Sequence, residues 1–547
     1  MRTDAEALIK LNEQMRSDAS GMVGLWHECG SMCLTRKVSA LIASNGNASS
    51  NQSFTPDQRL LNATATLANQ TLASNCVSWI TPSDQNWFAW KPVPMLKDAP
   101  AVEDWLGECT EIALTYFASS NFYNRIHEAF ADWSTFGTSM IWLSGGKRHP
   151  LNFRTFDSGS YTVAEDAEGY VHRVFREFDY TAEQALEIFG QDNLPEVVKT
   201  QLASNKLSEP SRYLHTLYQR PDNEVNPERG PLGMPWGSKY IHITSKTVVS
   251  EGGFEELPGF AGRYFRWSER SPYGCSPAML ALAEIRGVNY LELLMTTLGE
   301  VTVNPRVIIP EGMEAIPDLR AGGITIGPMT GEGPKEWMTG GRFDVGLKMI
   351  ERKEVLIGEM FHRSLFEQFN MIERQITAQE VRAREAEKLA RFSPAFTSVT
   401  SEQINPILER AFMLLMRAGL FPPAPPEAVV RSPSGEPILL YPRVVHTSRM
   451  AVALQGLKKT AFANMLELFM PLAQLRPEVF DHLDSDTAFR DITRNDGLPV
   501  DYLNPIQQVQ SIREARAKAQ QAMEEKEMMM EASKSPELVK AAIGAAQ

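Results

Sequence analysis

The hydrophobic positions are most regular between residues 277 and 369, where two runs repeat apolar residues every three or four positions. The first run, 277–301, opens with Pro277, which the first turn of a helix tolerates. The second run covers 344–369 and has nearly the same length. The stripes are Met279, Leu282, Ile285, Val288, Leu291 and Met295 in the first run, and Leu347, Ile350, Val355, Ile357, Phe361 and Leu365 in the second. The pattern predicts two long helices that pair as an antiparallel hairpin.

The segment between the two runs, residues 303–342, holds eight glycines and five prolines. So many helix breakers exclude a continuous helix and leave only short strand-like pieces at 306–309 and 324–326. The sequence therefore predicts a small β-containing tip on the hairpin. The alternative is a long surface loop between two packed helices, although such long loops in compact domains are uncommon unless they are functional.

A third helix is predicted to begin at Thr377. Thr377-Ala-Gln-Glu380 forms a capping box, in which the threonine hydroxyl and the glutamate carboxylate satisfy two backbone N–H groups. The charges that follow alternate in sign, which suits either a solvated face or a surface between subunits. Ser393-Pro394 is expected to interrupt this helix, a second amphipathic stretch covers 396–420, and the proline-rich segment 421–442 should be extended.

The rest of the chain predicts an α+β fold that is predominantly helical. Helical structure is expected over 1–45, segment 60–90 should form a helix and then an aromatic-rich turn at 79–90, and helices should cover 100–140. Residues from 447 onward should be mostly helical and end in a charged, methionine-rich helix at 505–533. Strands are expected at 139–143, 159–164, 170–178, 213–220, 240–249 and 263–267.

Composition indicates a globular chain of three or four domain-sized units, with 547 residues, 43% hydrophobic and 22% charged. We expect no membrane segment, because no run of eighteen apolar residues occurs and the N-terminus is amphipathic. The five cysteines are expected to be reduced thiols. His27, Cys29 and Cys33 are close in sequence, but no second pair completes a zinc site, so no metal is predicted.

The net charge of −13 argues against a sequence-specific duplex binder, which normally carries a basic patch. It is compatible with a channel through which DNA slides, because tight phosphate binding would stall the movement. The sequence has no phosphate-binding loop, no H-E-x-x-H and no G-x-S-x-G motif. No catalytic residue and no cofactor are therefore predicted.

The order of short motifs resembles the portal, or head-to-tail connector, proteins of short-tailed bacteriophages. The similarity spans nearly the whole chain, and its specificity comes from the number, order and spacing of the motifs. The motifs are Leu67-Ala-Asn-Gln-Thr-Leu72, Pro82, Trp87-Phe88, Phe136-Gly137-Thr138, Phe153, Asp166-Ala-Glu-Gly169, Arg176, Arg266-Trp267, Tyr273-Gly274-Cys-Ser276-Pro277, Asn304-Pro305, Thr377-Ala-Gln-Glu380-Val381, Arg384, Pro406, Arg410, Gly497-Leu-Pro499, Ile512-Arg513, Arg516 and Gln520.

The resemblance implies a ring, usually of twelve copies, at one vertex of the capsid. Each subunit would have a wing, a stem of two helices, a clip at the stem tip and a crown of C-terminal helices. The implied parts are the wing (1–276), the first stem helix (277–302), the clip (303–342), the second stem helix (343–368), the channel loop (369–376), the wing helices and connection (377–446), and the crown with the C-terminal helices (447–547).

The resemblance also implies the partners. Double-stranded DNA would pass through the ring without sequence-specific contacts, the large terminase and later the tail adaptor proteins would dock on the clip, and the major capsid and scaffolding proteins would surround the ring. The terminase would supply the ATPase, so the portal itself would not be an enzyme. The implied location is the portal vertex of the virion, reached from the host cytoplasm during assembly. A structural tail adaptor, or another non-enzymatic ring component of the virion, is the alternative.

Two groups of residues are candidates for contact with the passing DNA. On the second stem helix, Lys348, Arg352, Lys353 and Arg363 carry positive charges that could approach phosphates. In the loop before Thr377, Asn370, Glu373, Arg374 and Gln375 are the candidates for the narrowest point of the channel. A helix offers only one face to a channel, and the same charges could instead pair across subunits.

Overall fold

A computed structural model describes most of the chain, which divides into two compact units, residues 1–454 and 455–547. The described residues are 5–38, 60–96, 99–146, 148–269, 271–303, 307–308, 335–336, 342–366, 378–431, 437–439, 441–453 and 506–534. No helix within these ranges is long and apolar enough to cross a membrane.

Long helices make up much of the first unit, and one helix is described in the second. In chain order they are α1 (Ala5–Cys33), α2 (Thr64–Ile80), α3 (Pro100–Ser119), α4 (Phe122–Phe136), α5 (Ala182–Phe189), α6 (Glu196–Ala203), α7 (Pro277–Val303), α8 (Phe343–Met360), α9 (Ala378–Val399), α10 (Asn405–Arg417) and, in the second unit, α11 (Ile506–Lys534). A π-helical turn, Thr400–Ile404, joins α9 to α10.

The strands form antiparallel sheets. They are β1 (Phe88–Lys91), β2 (Thr138–Ser144), β3 (Asn152–Phe156), β4 (Tyr161–Glu165), β5 (Val171–Thr181), β6 (Pro210–Gln219), β7 (Trp236–His242), β8 (Thr247–Phe254), β9 (Gly259–Arg263), β10 (Phe265–Ser268), β11 (Ser271–Cys275), β12 (Val307–Ile308), β13 (Lys335–Glu336), β14 (Val429–Arg431), β15 (Pro437–Leu439) and β16 (Arg443–His446). The largest sheet has the order β4-β5-β6-β7-β8, and a second has the order β3-β2-β9. The remaining strands pair as β1-β16, β10-β11, β12-β13 and β14-β15.

The five-stranded sheet is covered on both faces. Leu214 and Ile241 pack against the start of α1 on one face, while the neighbouring Tyr213 packs against α5 and α6 on the other. Successive residues of a strand point to opposite faces, so neighbouring residues such as Tyr213 and Leu214 belong to the two separate hydrophobic clusters on the two faces of the sheet. The main core joins α1 to α4, the three-stranded sheet, α7, α8, α9 and α10.

The mixture of helices and antiparallel sheets confirms the predicted α+β class. Pro277 opens α7 as predicted, and α9 begins at Ala378, directly after the predicted cap Thr377. The C-terminal helix at 505–533 is confirmed as α11. Of the two strand-like pieces expected between 303 and 342, the first is confirmed as β12, and the second lies outside the described residues, as does most of that segment.

Three predictions were wrong. The helix that starts at Ala378 continues through Pro394 to Val399, because Leu389, Phe392 and Phe396 are buried in the main core and their packing offsets the backbone hydrogen bond that proline cannot make. The single strand expected at 240–249 is instead the two strands β7 and β8. The proline-rich connection is not simply extended, because it contains the hairpin formed by β14 and β15.

The hairpin arms also differ from the prediction. The second arm ends as a continuous helix at Met360, so α8 has 18 residues against 27 in α7. Leu347 and Val355, which the sequence analysis placed among the regularly spaced apolar positions of the second run, are 46% and 65% exposed. Their spacing fits a helix, but the buried side of α8 follows Ile350 and Ile357.

Candidate functional site: the helical hairpin

The first arm of the hairpin is positioned by two glycines that touch through their backbones. Gly137 follows α4 with φ of +78°, and a methyl group added to it would lie 2.2 Å from the carbonyl oxygen of Gly274. The Gly274 N–H donates to the hydroxyl of Thr138 at 2.8 Å. Only glycine fits this contact without strain, since it combines a left-handed backbone with no Cβ. The junction places the residues before α7 directly against the end of α4.

Ser276 then starts α7. Its hydroxyl accepts the N–H of Met279 at 3.0 Å and donates to the carbonyl of Thr135 at 2.8 Å. The serine thus caps the helix and ties it to α4, and Pro277 occupies the first helical position, where no N–H is needed. The direction of the whole first arm is therefore set by the motif Gly274-Cys-Ser276-Pro277.

The two arms run antiparallel, as predicted. Near the body, Lys353 of α8 binds Glu284 of α7 at 2.7 Å. Towards the tip, Gly346 of α8 lies against the side chain of Met295. Residue numbers that rise on one helix while they fall on the other define the antiparallel pair.

Both arms are fastened to the start of α2 by polar side chains. The carboxamide oxygen of Asn289, a buried residue of α7, accepts the N–H groups of Leu61 and Asn62 at 2.8 and 3.0 Å. From α8, Glu354 accepts hydrogen bonds from Asn62 at 2.9 Å and from the Thr64 hydroxyl at 3.1 Å. Because one short segment binds both arms, the same side of the hairpin faces the body along its lower half.

The second arm bends at its end. His362 has φ of +56°, a conformation that costs a non-glycine residue about 1 kcal/mol or more. Its Nε2 lies 2.5 Å from the hydroxyl of Tyr264, and its ring packs edge-on against Phe392 at 5.1 Å. These contacts hold the bend, and beyond it Phe366 reaches Phe392 at 5.8 Å.

Burial lowers the pKa of His362 to about 4, below the usual 6.5. Between pH 6.5 and about pH 4, His362 binds a proton in the unfolded chain but not in the folded chain. The free energy of unfolding should therefore fall by about 1.4 kcal/mol for each pH unit that the pH drops within this range. H362N should remove this share of the slope, because asparagine tolerates the backbone conformation but does not titrate. Denaturant unfolding between pH 7 and 4 measures it. Y264F, which keeps the imidazole, should retain the slope, and an equal slope in H362N and the wild type would contradict the assignment.

The side of the hairpin that faces away from α2 carries a row of exposed apolar side chains on each arm. On α7, Leu280, Tyr290 and Leu294 are 55%, 61% and 46% exposed, while Ile285 and Val288 on the opposite side are buried. On α8 the exposed row is Val345, Met349, Leu356 and Met360. Because α2 covers both arms from one side, the two rows face the same way. We call these seven residues the apolar stripe.

The four candidate basic residues of the second arm differ in exposure and in ion pairing. Lys348 and Arg352 are exposed one turn apart on α8, and neither forms an ion pair with any residue that the structure describes. Lys353 is bound to Glu284 between the arms. Arg363 is exposed just beyond the bend, where its side chain lies against Gly358. The geometry therefore leaves Lys348 and Arg352 as the pair best placed to meet an external anion.

The candidate constriction loop, 369–376, lies outside the described residues together with Asn370, Glu373, Arg374 and Gln375. Its two flanks are described. Phe366 precedes the loop, Phe392 follows it, and their rings lie 5.8 Å apart. Phe392 lies 14 residues after Ala378 on α9, about 21 Å along the helix.

Comparison with known proteins covers almost the whole chain. Residues 5–503 match the family described as bacteriophage head to tail connecting protein. The chain belongs to this family. It is 25% identical to the portal protein of Salmonella phage epsilon15 over 532 residues, which cover 95% of this chain and 92% of that protein. It is 24% identical to a probable portal protein of Bordetella phage BPP-1 over 540 residues, 96% of this chain and 93% of that protein.

Several motifs that resemble the connector family serve as joints between elements of the body. Arg410 of α10 is buried and donates to the Leu143 carbonyl at 3.0 Å and to the Glu256 carboxylate at 3.0 Å. Asp166 accepts the N–H groups of Glu168 and Tyr170, both at 2.9 Å, in the turn between β4 and β5. Among the described residues, these motifs therefore hold elements of the body and the base of the hairpin together.

All five cysteines lie within the described residues. All five cysteines are unpaired, and burial raises the pKa of Cys29 and Cys109 to about 12, so these two are unreactive thiols. Within the described ranges, no group of three His, Cys, Asp or Glu side chains could hold a metal ion.

Proposed function

We propose that this chain is the portal protein of a short-tailed phage, one subunit of a ring that forms the DNA channel at a single capsid vertex. Membership of the connector family over residues 5–503 carries the proposal. The two portal relatives support it, because each aligns over more than nine-tenths of both chains. In this function each hairpin contributes one segment of the channel wall. Residues 1–276 and 377–446 form the wing.

The apolar stripe supports assembly into a ring. Monomeric proteins rarely expose such a row of large apolar residues, and a patch of this kind marks a protein interface. In a closed ring each subunit meets its neighbour through two different surfaces. We assign the stripe to one of them, so that the hairpin of one subunit packs against the next. The usual number for the family, twelve, is our proposal for this chain.

The charges of α8 support a lining that DNA can slide past. Glu351 and Glu359 are exposed on the same helix as Lys348 and Arg352, so positive and negative groups alternate along its outer edge. A mixed surface attracts phosphates weakly and does not hold them.

The proposed constriction is 369–376, where Asn370, Glu373, Arg374 and Gln375 would meet the DNA. The tip at 303–342 would bind the large terminase during packaging and tail adaptors afterwards, and major capsid and scaffolding proteins would contact the wing.

Replacing Lys348 and Arg352 together with alanine should reduce the packaged or retained DNA several-fold while the ring still assembles, because two exposed phosphate partners are lost and no described ion pair is broken. The measurement is genome content per head after complementation of a portal-deficient phage. K353A is the contrasting variant. It removes the ion pair with Glu284 and should weaken the hairpin itself.

Unchanged packaging and genome retention in the double variant would remove both residues from the channel. Loss of the assembled ring in the double variant would show that these residues act in subunit contact instead.

A further inference from the structure

A polar groove crosses the body, outside the hairpin. It consists of two adjoining cavities of about 750 and 500 Å³, and both are lined by Asn121 and Asn124 at the start of α4. The larger cavity extends along α4 to Ala131 and reaches Arg36, and the smaller one ends at Arg148 in the turn between β2 and β3. The two cavities share Asn121 and Asn124, and we refer to them together as the polar groove.

The groove carries an excess of positive charge in a chain whose net charge is −13. Arg36, Arg125 and Arg148 line it, and Glu128 is the one carboxylate among its described lining residues. That carboxylate is already bound by Arg125 at 2.8 Å and by the Thr155 hydroxyl at 2.7 Å. Arg36 and Arg148 are exposed, and neither makes an ion pair within the described part of the chain. Two guanidinium groups are thus available to a ligand.

We propose that this groove binds the phosphate backbone of duplex DNA outside the channel. Arginine and lysine make phosphate contacts together with serine, threonine, asparagine, glutamine and tyrosine, and Arg36, Gln70, Asn124 and Arg148 supply such side chains along the groove. The segment of α4 between Asn121 and Glu128 is about 10 Å long, enough to meet neighbouring phosphates of one strand.

The lining favours a nucleic-acid backbone over an acidic protein segment. A protein partner gains most of its affinity from apolar and aromatic anchors at the centre of an interface. Leu34, Ala131 and Leu151 are the apolar residues among the described lining, and all three are small or aliphatic. A phosphate backbone needs no such anchor, since charge and hydrogen bonds dominate its binding.

The test uses the purified full chain and a fluorescent, covalently closed circular duplex, which cannot thread a closed ring. R36Q/R148Q should bind this circle at least about tenfold more weakly than the wild type at 0.1 M salt, and the slope of log affinity against log salt should fall by about two. R229Q/R443Q is the matched control, because Arg229 and Arg443 are exposed elsewhere on the body and the charge change is equal. K348A/R352A should also bind the circle normally.

The outcomes of this experiment distinguish DNA binding in the groove from the proposed channel function. Equal affinities of the groove variant, the control and the wild type would overturn it. The proposal would also be overturned if R36Q/R148Q bound DNA normally but lost binding to a polyglutamate peptide. That result would assign the groove to an acidic protein partner. The assay does not depend on the ring: a protein that proves monomeric but still loses the circle in R36Q/R148Q would keep the groove and reject the portal function.

Discussion

Replacing Gly137 with alanine is expected to lower the free energy of unfolding by about 2 to 5 kcal/mol. The left-handed backbone at +78° costs an alanine about 1 to 2 kcal/mol. The added methyl would meet the Gly274 carbonyl oxygen at 2.2 Å, so the backbone on one side must move, at a further cost of about 1 to 3 kcal/mol. Urea unfolding followed by tryptophan fluorescence measures the loss.

G107A is the matched control for this prediction. Gly107 lies inside α3, and an added methyl would have no other atom within 4 Å. Alanine has the higher helix propensity, so this variant should be as stable as the wild type or more stable by up to about 1 kcal/mol. If G137A unfolds at the same urea concentration as G107A, the junction between Gly137 and Gly274 does not position α7.

Placing a charge on each arm of the apolar stripe should prevent ring assembly. In L294E/L356E, two side chains that are 46% and 38% exposed in the single subunit become acidic, so the subunit should still fold. If the stripe is buried between subunits, each carboxylate must lose its water there, and the subunits should associate at least about 100-fold more weakly. Sedimentation velocity across a concentration series measures the association.

L186E/I188E is the control, with two acidic residues at exposed apolar positions of α5, on the five-stranded sheet. It should assemble as the wild type does. Normal rings in L294E/L356E would show that the stripe faces solvent in the assembly and that another surface joins the subunits.

Local patterns predicted the first arm of the hairpin and the antiparallel pairing of the arms, because the determinants of these features are close in sequence. Pro277, the three- and four-residue apolar spacing and the capping box at Thr377 are all read within one or two helical turns. The same logic could have found α5, which the sequence analysis missed. Thr181-Ala-Glu-Gln184 is a second capping box, in which the Thr181 hydroxyl and the Gln184 carboxamide each accept the other residue's N–H.

The failures came from contacts that are distant in sequence. Pro394 reads as a helix breaker, yet Phe392 and Phe396 are buried on either side of it and keep α9 intact. Nothing near His362 marks it as the end of α8, because Tyr264 and Phe392, which hold it, are 98 and 30 positions away. Tertiary packing outweighs local propensity at such sites.

The candidate site also combines features that the sequence shows locally with contacts between residues that are distant in sequence. The positive charges of α8 are visible in the sequence, but the partner of Lys353 is not, because Glu284 lies on the other arm. The fastening of the hairpin by Asn289 and Glu354 joins segments more than 200 residues apart and has no local pattern. The polar groove along α4 also arises from four separate segments of the chain, so only the folded structure brings Arg36 and Arg148 to one surface.

The central claim is that copies of this chain close into a ring around a channel, and native mass measurement combined with negative-stain imaging of the purified protein tests it most directly. Twelve chains of 61.2 kDa should give a particle of about 730 kDa with a central hole in axial views. A 61.2 kDa monomer at high protein concentration, or a closed particle without an axial hole wide enough for duplex DNA, would contradict the account.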